Sequence, residues 1–332
     1  MKKYLNLLLV TVIVPVMLIN GCKKDNDDDN TQKEPKGTYS DLVNYMVGEG
    51  LDLTDILVSD PPWVVPASAV VDSNDYTVPD WYVMDIRSAS DFADGHIKGA
   101  VNVELKNVVS AAANAGGKKI LVVCKTGQTA GHAVMALRLS GYPDAAVLKF
   151  GMAGWNPQFE GPWTSNIGNL ADNNASEWST SDSPALESFA NPSWESTATE
   201  GAAILAERVQ LMLDNGFQAI SSDDVFGHQS DYQIHNFWAE SDYTTFGHFS
   251  TAYQLKPISL ANDVVKAVDS EETTLVYCFT GQTSSMVVAW LNVLGYDAKS
   301  ILFGVNRLKY DELEAAGKPH WHGPANFEYV TE

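Results

Sequence analysis

The sequence predicts an α/β protein with two similar domains, each a central, mostly parallel sheet flanked by helices. One observation is a repeat: ILVVCKTGQT at 120–129 returns as TLVYCFTGQT at 274–283, and a helical pattern follows each copy. The second is that short apolar strands alternate with helical patterns in both halves, which is typical of parallel sheets. The chain's 332 residues are enough for two domains with separate cores.

The repeated loops are alike in more than their cysteines, Cys124 and Cys278. The same T-G-Q-T run follows in both, as Thr126, Gly127, Gln128 and Thr129, and as Thr280, Gly281, Gln282 and Thr283. An identical polar run at the same place in two strand–loop–helix units indicates an internal duplication.

Apolar periodicity orders the elements of the first half. It predicts a helix at 39–57 with Ser40 as N-cap, strands at 64–71 and 81–86, a helix at 88–94, the cysteine strand with its helix, and a strand at 145–150. The strand at 81–86 ends at Asp85 and Arg87. Ligand sites of open α/β sheets gather at such carboxyl ends.

The second half repeats this order. We expect a helix at 200–214, strands at 217–221 and 233–238, the cysteine strand at 274–278 with a helix at 284–294, and a strand at 300–303. The domains are predicted at 39–160 and 200–332. The connector at 161–199 contains Trp163, Trp178 and Trp194, so we expect it to pack on a domain surface.

The cysteine loops are predicted to be chemical sites. A strand that ends in Cys and turns into a helix places the sulfur near the helix N-terminus, where unpaired N–H groups and the helix dipole favour negative charge. Such a setting lowers a thiol pKa. Gly127 and Gly281 permit the positive φ that folds the loop N–H groups inward, and Thr129 and Thr283 stand where an N-cap is expected. The pattern predicts a cradle for a thiolate, or for an anion beside it.

Three elements, taken in order, resemble the rhodanese family. They are D-x-R at Asp85 and Arg87, G-H-I-x-G-A-x-N at 95–102, and C-x-x-G-x-T at 124–129. The resemblance covers about 40–160 and again about 200–325. It implies two rhodanese-like domains and a cysteine that carries sulfur as a persulfide. By this resemblance the chain is a tandem sulfurtransferase that moves sulfur from a small anion such as thiosulfate to a thiol or cyanide, with no cofactor and no metal.

The resemblance also assigns residue roles. Cys124 and Cys278 would be catalytic, and Asp85, His96 and His248 structural. Substrate binding would fall to Arg87 and to the loop residues Lys125, Thr126, Gly127, Gln128, Thr129, Phe279, Thr280, Gly281, Gln282 and Thr283.

The two copies differ in ways that favour Cys124. Asn236 and Trp238 stand where the first copy has Asp85 and Arg87, and Phe279 stands where it has Lys125. A lysine beside the loop would attract a sulfur oxyanion and stabilise a thiolate.

Two other functions remain open. One is a non-catalytic module that binds or carries sulfur or an oxyanion for a membrane-associated partner, which Phe279 favours for the second domain. The other is a phosphatase or arsenate reductase, and related enzymes of that kind have a loop one residue longer with an Arg near its end. Both loops here lack that Arg.

The pair His320 and His322 is only a weak indication of a metal site.

The N-terminus has the features of an export signal. Two lysines precede an apolar run at 4–19, and L-I-N-G-C ends at Cys22, which resembles a bacterial lipobox. We therefore expect a signal peptide at 1–22, a lipid on Cys22 and a disordered tether at 23–38. The protein would be anchored in the cell envelope and would face the periplasm or the exterior. The sequence favours the outer membrane over the inner membrane.

The net charge of −21 argues against nucleic-acid binding.

Overall fold

The computed structural model describes residues 36–58 and 60–331. The predicted signal peptide with Cys22, and residues 23–35 of the predicted tether, lie outside the described residues. Residues 37–38, which were predicted as tether, form a strand that pairs with Glu195 and Ser196. In the part of the chain that is described, no helix is long and apolar enough to cross a membrane.

The strands and helices alternate along the chain. The strands are Gly37–Thr38 (β1), Val64–Val65 (β2), Trp81–Asp85 (β3), Val101–Asn102 (β4), Lys119–Val123 (β5), Ala146–Leu148 (β6), Trp178–Ser179 (β7), Glu195–Ser196 (β8), Ala219–Ile220 (β9), Gln233–Asn236 (β10), His248–Phe249 (β11), Tyr253–Gln254 (β12), Thr274–Tyr277 (β13) and Ala298–Ile301 (β14). The helices are Tyr39–Gly48 (α1), Leu53–Ile56 (α2), Ala89–Asp94 (α3), Val108–Ala111 (α4), Gln128–Leu139 (α5), Gly151–Trp155 (α6), Gly161–Thr164 (α7), Leu170–Asn173 (α8), Gly201–Asp214 (α9), Glu240–Phe246 (α10), Gln282–Leu294 (α11), Val305–Leu308 (α12) and Tyr310–Ala315 (α13).

Two five-stranded parallel sheets confirm the predicted fold class. The first has the order β2–β6–β5–β3–β4, and the second repeats it as β9–β14–β13–β10–β12. Side chains of the central strand alternate between two cores: Ile120 and Val122 face the one that contains α5 and α11, and Leu121 and Val123 face the other. Burial on both faces explains why this strand is a continuous apolar run.

The first helix is shorter than predicted. It ends at Gly48, and α2 is a separate turn, because Gly48 and Gly50 interrupt the pattern and Gly50 has a φ of +67°. The N-cap is Thr38, not the predicted Ser40. The Thr38 side chain accepts from the Asp41 N–H, and the Asp41 carboxylate accepts from the Thr38 N–H, which forms a capping box.

Two predicted strands are also misplaced. The strand predicted at 64–71 contracts to Val64–Val65, because Pro66 has no N–H to donate and Ala67–Ala69 form a 3₁₀ helix. The last strand is Ala298–Ile301 instead of 300–303. The chain turns at Phe303, whose φ is +61°, so that residue cannot continue a strand.

The connector packs on the two halves, as its tryptophans predicted. Trp163 is fully buried, and its ring stacks on that of Trp321 at 5.6 Å. Each of the three indole N–H groups donates to a backbone carbonyl: Trp163 to Thr126, Trp178 to Phe246 and Trp194 to Leu294.

The C-terminal segment crosses back to the first sheet. His96 and Val330 exchange backbone hydrogen bonds of 2.9 Å, and the Trp155 indole donates to the Glu328 carbonyl at 2.7 Å. At the other end, β1 pairs with β8 next to the second half. The chain from Lys36 onward forms one compact unit as a result.

Candidate functional site: two cysteine loops and a cavity

Both cysteines stand at the carboxyl end of a central strand. Cys124 follows β5, Cys278 follows β13, and the N-caps of α5 and α11 are Gly127 and Gly281, with φ of +83° and +76°. The prediction that Thr129 and Thr283 are N-caps is wrong. The left-handed turn at each glycine starts the helix at the glutamine, so both threonines lie inside the first turn.

Backbone N–H groups donate to both sulfurs, two to Cys124 and one to Cys278. Cys124 Sγ accepts from the N–H of Gly127 at 3.1 Å and of Ala130 at 3.3 Å. Cys278 Sγ accepts from the N–H of Ser284 at 3.3 Å, and its thiol donates to the Ser284 hydroxyl at 3.6 Å. That hydroxyl lies 2.8 Å from the hydroxyl of Ser300.

The Ser284 hydroxyl predicts a difference in reactivity. In the thiolate state it can donate to sulfur while it accepts from Ser300, and the first loop has Ala130 at that position. With Cys124 replaced by Ser, we expect Ser284→Ala to slow alkylation of Cys278 by iodoacetamide about fivefold, since a hydrogen bond is worth about 1 kcal/mol. Ser285→Ala is the control, because the Ser285 hydroxyl donates to the Gln282 carbonyl instead. Equal rates in the two variants would contradict this role.

The surroundings of Cys124 favour a thiolate less than the sequence predicted. It is 5% exposed, and burial raises the pKa of its thiol above the ordinary value. The N–H groups of Ala130, Thr126 and Gly127 lower the pKa only in part. The prediction of a lowered pKa is therefore wrong for Cys124 in this structure, because desolvation outweighs the hydrogen bonds.

The repeated glutamines join the two loops. Gln128 Oε1 accepts from the Phe303 N–H at 2.7 Å, and Gln282 Nε2 donates to the Thr126 carbonyl at 3.4 Å. Both side chains are buried. Each contact crosses from one half of the chain to the other. The glutamine at the same place in both repeats therefore has a structural role, in addition to the predicted role in substrate binding.

Asp85 and Arg87 form a buried ion pair after β3. Arg87 Nε lies 2.9 Å from Asp85 Oδ1, and Arg87 Nη2 donates to the Gly95 carbonyl at 2.7 Å. The Asn102 amide closes the same turn by donating to the carbonyls of Asp85 and Arg87. The guanidinium is thus bound by Asp85 and by the Gly95 carbonyl, and the role of Arg87 in substrate binding stays a prediction.

Lys125 faces a carboxylate. Its Nζ lies 2.9 Å from Asp91 Oδ1, and its side chain is 57% exposed. Lys125, Asp91 and Arg87 line a surface cavity of about 210 Å³. Cys124 is not among the residues that line it, so the structure does not bring Lys125 and the thiol to one cavity.

The two histidines of the G-H elements lie where strands pair: His96 bridges to Val330, and His248 belongs to β11. His96 Nδ1 is 2.8 Å from the Phe92 carbonyl, and its ring stacks on Phe92. His248 Nε2 is 3.0 Å from the Ser181 carbonyl, and its ring stacks on Tyr243. Within residues 36–58 and 60–331, no group of three His, Cys, Asp or Glu side chains is placed to hold a metal ion.

Cys278 opens on a cavity of about 350 Å³. Both halves of the chain contribute to its wall, and Thr280 and Thr283 line it beside the cysteine. The wall residues are Leu53, Thr54, Leu57, Trp63, Phe237, Trp238, Ala239, Asp242, Lys256, Pro257, Ile258, Cys278, Phe279, Thr280, Thr283 and Pro319. The Trp63 indole donates to the Thr283 hydroxyl at 3.4 Å. Trp63 and Lys256 were not predicted, because neither lies in a motif and only the tertiary fold brings them to Cys278.

The comparisons with known proteins match the first half to a family. Residues 69–158 match the model of the Rhodanese-like domain. That span contains the D-x-R and G-H-I elements and the first cysteine loop, so the first half contains a rhodanese-like domain. No curated protein matches the chain.

Solved structures similar to this chain include sulfurtransferases. The thiosulfate sulfurtransferase of Pseudomonas aeruginosa is 15% identical over 86% of this chain and 49% of its own, with a TM-score of 0.29. The 3-mercaptopyruvate sulfotransferase of Escherichia coli is 17% identical over 72% of this chain and 97% of its own, with a TM-score of 0.27. A Rhodanese_3 like domain from Anabaena sp. is 30% identical over 23% of this chain and 88% of its own, with a TM-score of 0.22. The chain thus spans about half the length of the Pseudomonas protein.

Proposed function

We propose that this protein is a sulfurtransferase that carries sulfane sulfur on Cys278. One observation carries the proposal: Cys278 ends a central strand, accepts a helix N-terminal N–H, and borders a cavity large enough for a substrate. The rhodanese-like domain in the first half supports the same chemistry for a chain whose two halves repeat one loop. The sequence favoured Cys124, but both thiols are similarly buried, and the place of the cavity favours Cys278.

The reaction proceeds through a persulfide. The Cys278 thiolate attacks the outer sulfur of thiosulfate, a new S–S bond forms, and sulfite leaves with the electron pair of the old one. The Ser284 N–H and hydroxyl stabilise charge on Sγ, and the hydroxyls of Thr280 and Thr283 line the cavity where the donor anion lies. A thiolate or cyanide then takes the outer sulfur and restores Cys278.

Intact mass after exposure to thiosulfate tests the proposal. Wild type and Cys124→Ser should gain one sulfur, about 32 Da, and Cys278→Ser should gain none. A gain that survives Cys278→Ser and disappears in Cys124→Ser would return the carrier role to Cys124. If no protein gains mass with thiosulfate or mercaptopyruvate, the sulfurtransferase proposal fails for these donors.

The first loop supports a second role, that of a non-catalytic binding or structural loop. Cys124 is buried with a raised thiol pKa, and the neighbouring Lys125 is paired with Asp91. A thiol held in its neutral form is a poor nucleophile. The mass of the Cys278→Ser variant decides between this role and catalysis by Cys124.

We also propose that the chain is an exported lipoprotein with two rhodanese-like domains, 39–160 and 200–332, joined by the connector at 161–199. The lipobox-like L-I-N-G-C and the basic, apolar N-terminus support export and attachment through Cys22. Cys22→Ser should release the protein from the membrane fraction of a Gram-negative host. Equal membrane association of both forms would overturn the anchoring.

A further inference from the structure

The walls around the two cysteine loops differ in chemistry. Strand register makes the halves comparable, since Asp85 pairs with Val123 just before Cys124, and Asn236 pairs with Tyr277 just before Cys278. Trp238 therefore occupies the position of Arg87. In the loops, Phe279 occupies the position of Lys125.

At the second loop these replacements form an aromatic wall. The Trp238 and Phe279 rings lie 4.7 Å apart, and both line the cavity that Cys278 borders. Trp63 and Phe237 line it as well. The first loop has a salt-bridged lysine and arginine at the matching positions.

The cavity also has one unpaired cation. Lys256 lines it and has no carboxylate partner among residues 36–58 and 60–331, whereas the lysine at position 318 is paired with Asp242 at 2.6 Å. The Lys256 ammonium lies 5.5 Å from the centre of the Phe237 ring. A ligand with an aromatic body and an anionic end would match both features.

The volume of the cavity beside Cys278 supports the same class of ligand. About 350 Å³ lies within the range of pockets that bind small organic molecules, roughly 300–1,000 Å³. A five-atom inorganic anion leaves most of this apolar wall in contact with water, and an aromatic body covers it.

We propose that Cys278 takes its sulfur from an organic donor with an aromatic body, and that Trp238 and Phe279 select this donor over inorganic thiosulfate. The inference rests on the proposed function. With an aryl thiosulfonate, Ar–SO₂–S⁻, the Cys278 thiolate attacks the terminal sulfur. The bond from Sγ to that sulfur forms, its bond to the sulfonyl sulfur breaks, and the electron pair leaves with the sulfinate Ar–SO₂⁻. Both sides carry two negative charges, and no external oxidant is needed.

Competing donors test the inference in the full chain with Cys124→Ser. The second-order rates of mass gain at Cys278 are measured with benzenethiosulfonate, methanethiosulfonate and thiosulfate. We expect the aromatic donor to react about tenfold faster than the methyl donor, which has the same leaving-group type and lacks the ring. Thiosulfate should be slower than the aromatic donor.

Two substitutions locate the selectivity. Phe279→Lys transplants the residue of the first loop, and Phe279→Leu removes the ring but keeps the site apolar. The ratio of aromatic to methyl rates should fall about fivefold or more in Phe279→Lys and by less in Phe279→Leu. Far-UV circular dichroism verifies that each variant is folded.

The outcomes distinguish a failure of the donor selectivity from a failure of the proposed sulfurtransferase function. If all three donors label Cys278 and the aromatic donor has no advantage over the methyl donor, the selectivity is refuted while the sulfurtransferase stands. An advantage that Phe279→Lys leaves intact refutes the role of Phe279. If no donor labels Cys278, the proposed function fails and the inference fails with it.

Discussion

Replacement of Arg87 by Met should lower the free energy of unfolding by about 3–5 kcal/mol, because it leaves the carboxylate of Asp85 buried without its partner. Asp85 is fully buried, and after the substitution its carboxylate keeps only the N–H of residue 87 among its present donors. Urea unfolding of the full chain measures the loss.

The second half of the protein provides the control. There Asn236 and Trp238 occupy the same two positions without charge, so the fold itself does not require an ion pair. The double variant Asp85→Asn, Arg87→Met should therefore recover most of the stability, because no buried charge remains. A loss below about 1 kcal/mol in Arg87→Met would show that the pair is dispensable.

The repeat allowed much of the fold to be predicted. Two cysteine strands of continuous apolar residues, each followed by T-G-Q-T and a helix, specified two parallel sheets with the cysteines at the carboxyl ends of central strands. Strand ends were predicted less well. The limits of a short strand depend on single backbone angles, such as the positive φ of Phe303, that no apolar pattern encodes.

The candidate site could be predicted only as far as its loops. Motifs located both cysteines, but the burial that raises the pKa of Cys124 depends on how the halves pack. The same packing places Trp63 and Leu53 from the first half beside Cys278 from the second. The pairing of Gln128 with Phe303 is likewise a contact between distant segments. Sequence periodicity contains no information about such contacts.

Acid should destabilise the protein well before its carboxylates are protonated. Burial lowers the pKa of His132 to about 4 and that of His235 to about 3, whereas both titrate near 6.5 in the unfolded chain. Below about pH 6.5 the unfolded chain therefore binds more protons than the folded one, and stability falls as pH falls until the folded pKa is reached. Each histidine contributes a slope of at most about 1.4 kcal/mol per pH unit, and because the unfolded chain is only partly protonated at pH 6, the two together give about 2.4 kcal/mol between pH 6 and 5.

Single substitutions separate this effect from the other titrating groups. His132→Leu and His235→Leu should each halve the slope of unfolding free energy against pH in that interval, whatever they do to stability at neutral pH. His228→Gln is the matched control, since the His228 side chain is 65% exposed, and the slope should stay as in wild type. An unchanged slope in both leucine variants would mean that the buried rings gain no proton on unfolding. In that case, acid lability would have to come from the carboxylates, and its onset would move down to the pH range in which they titrate.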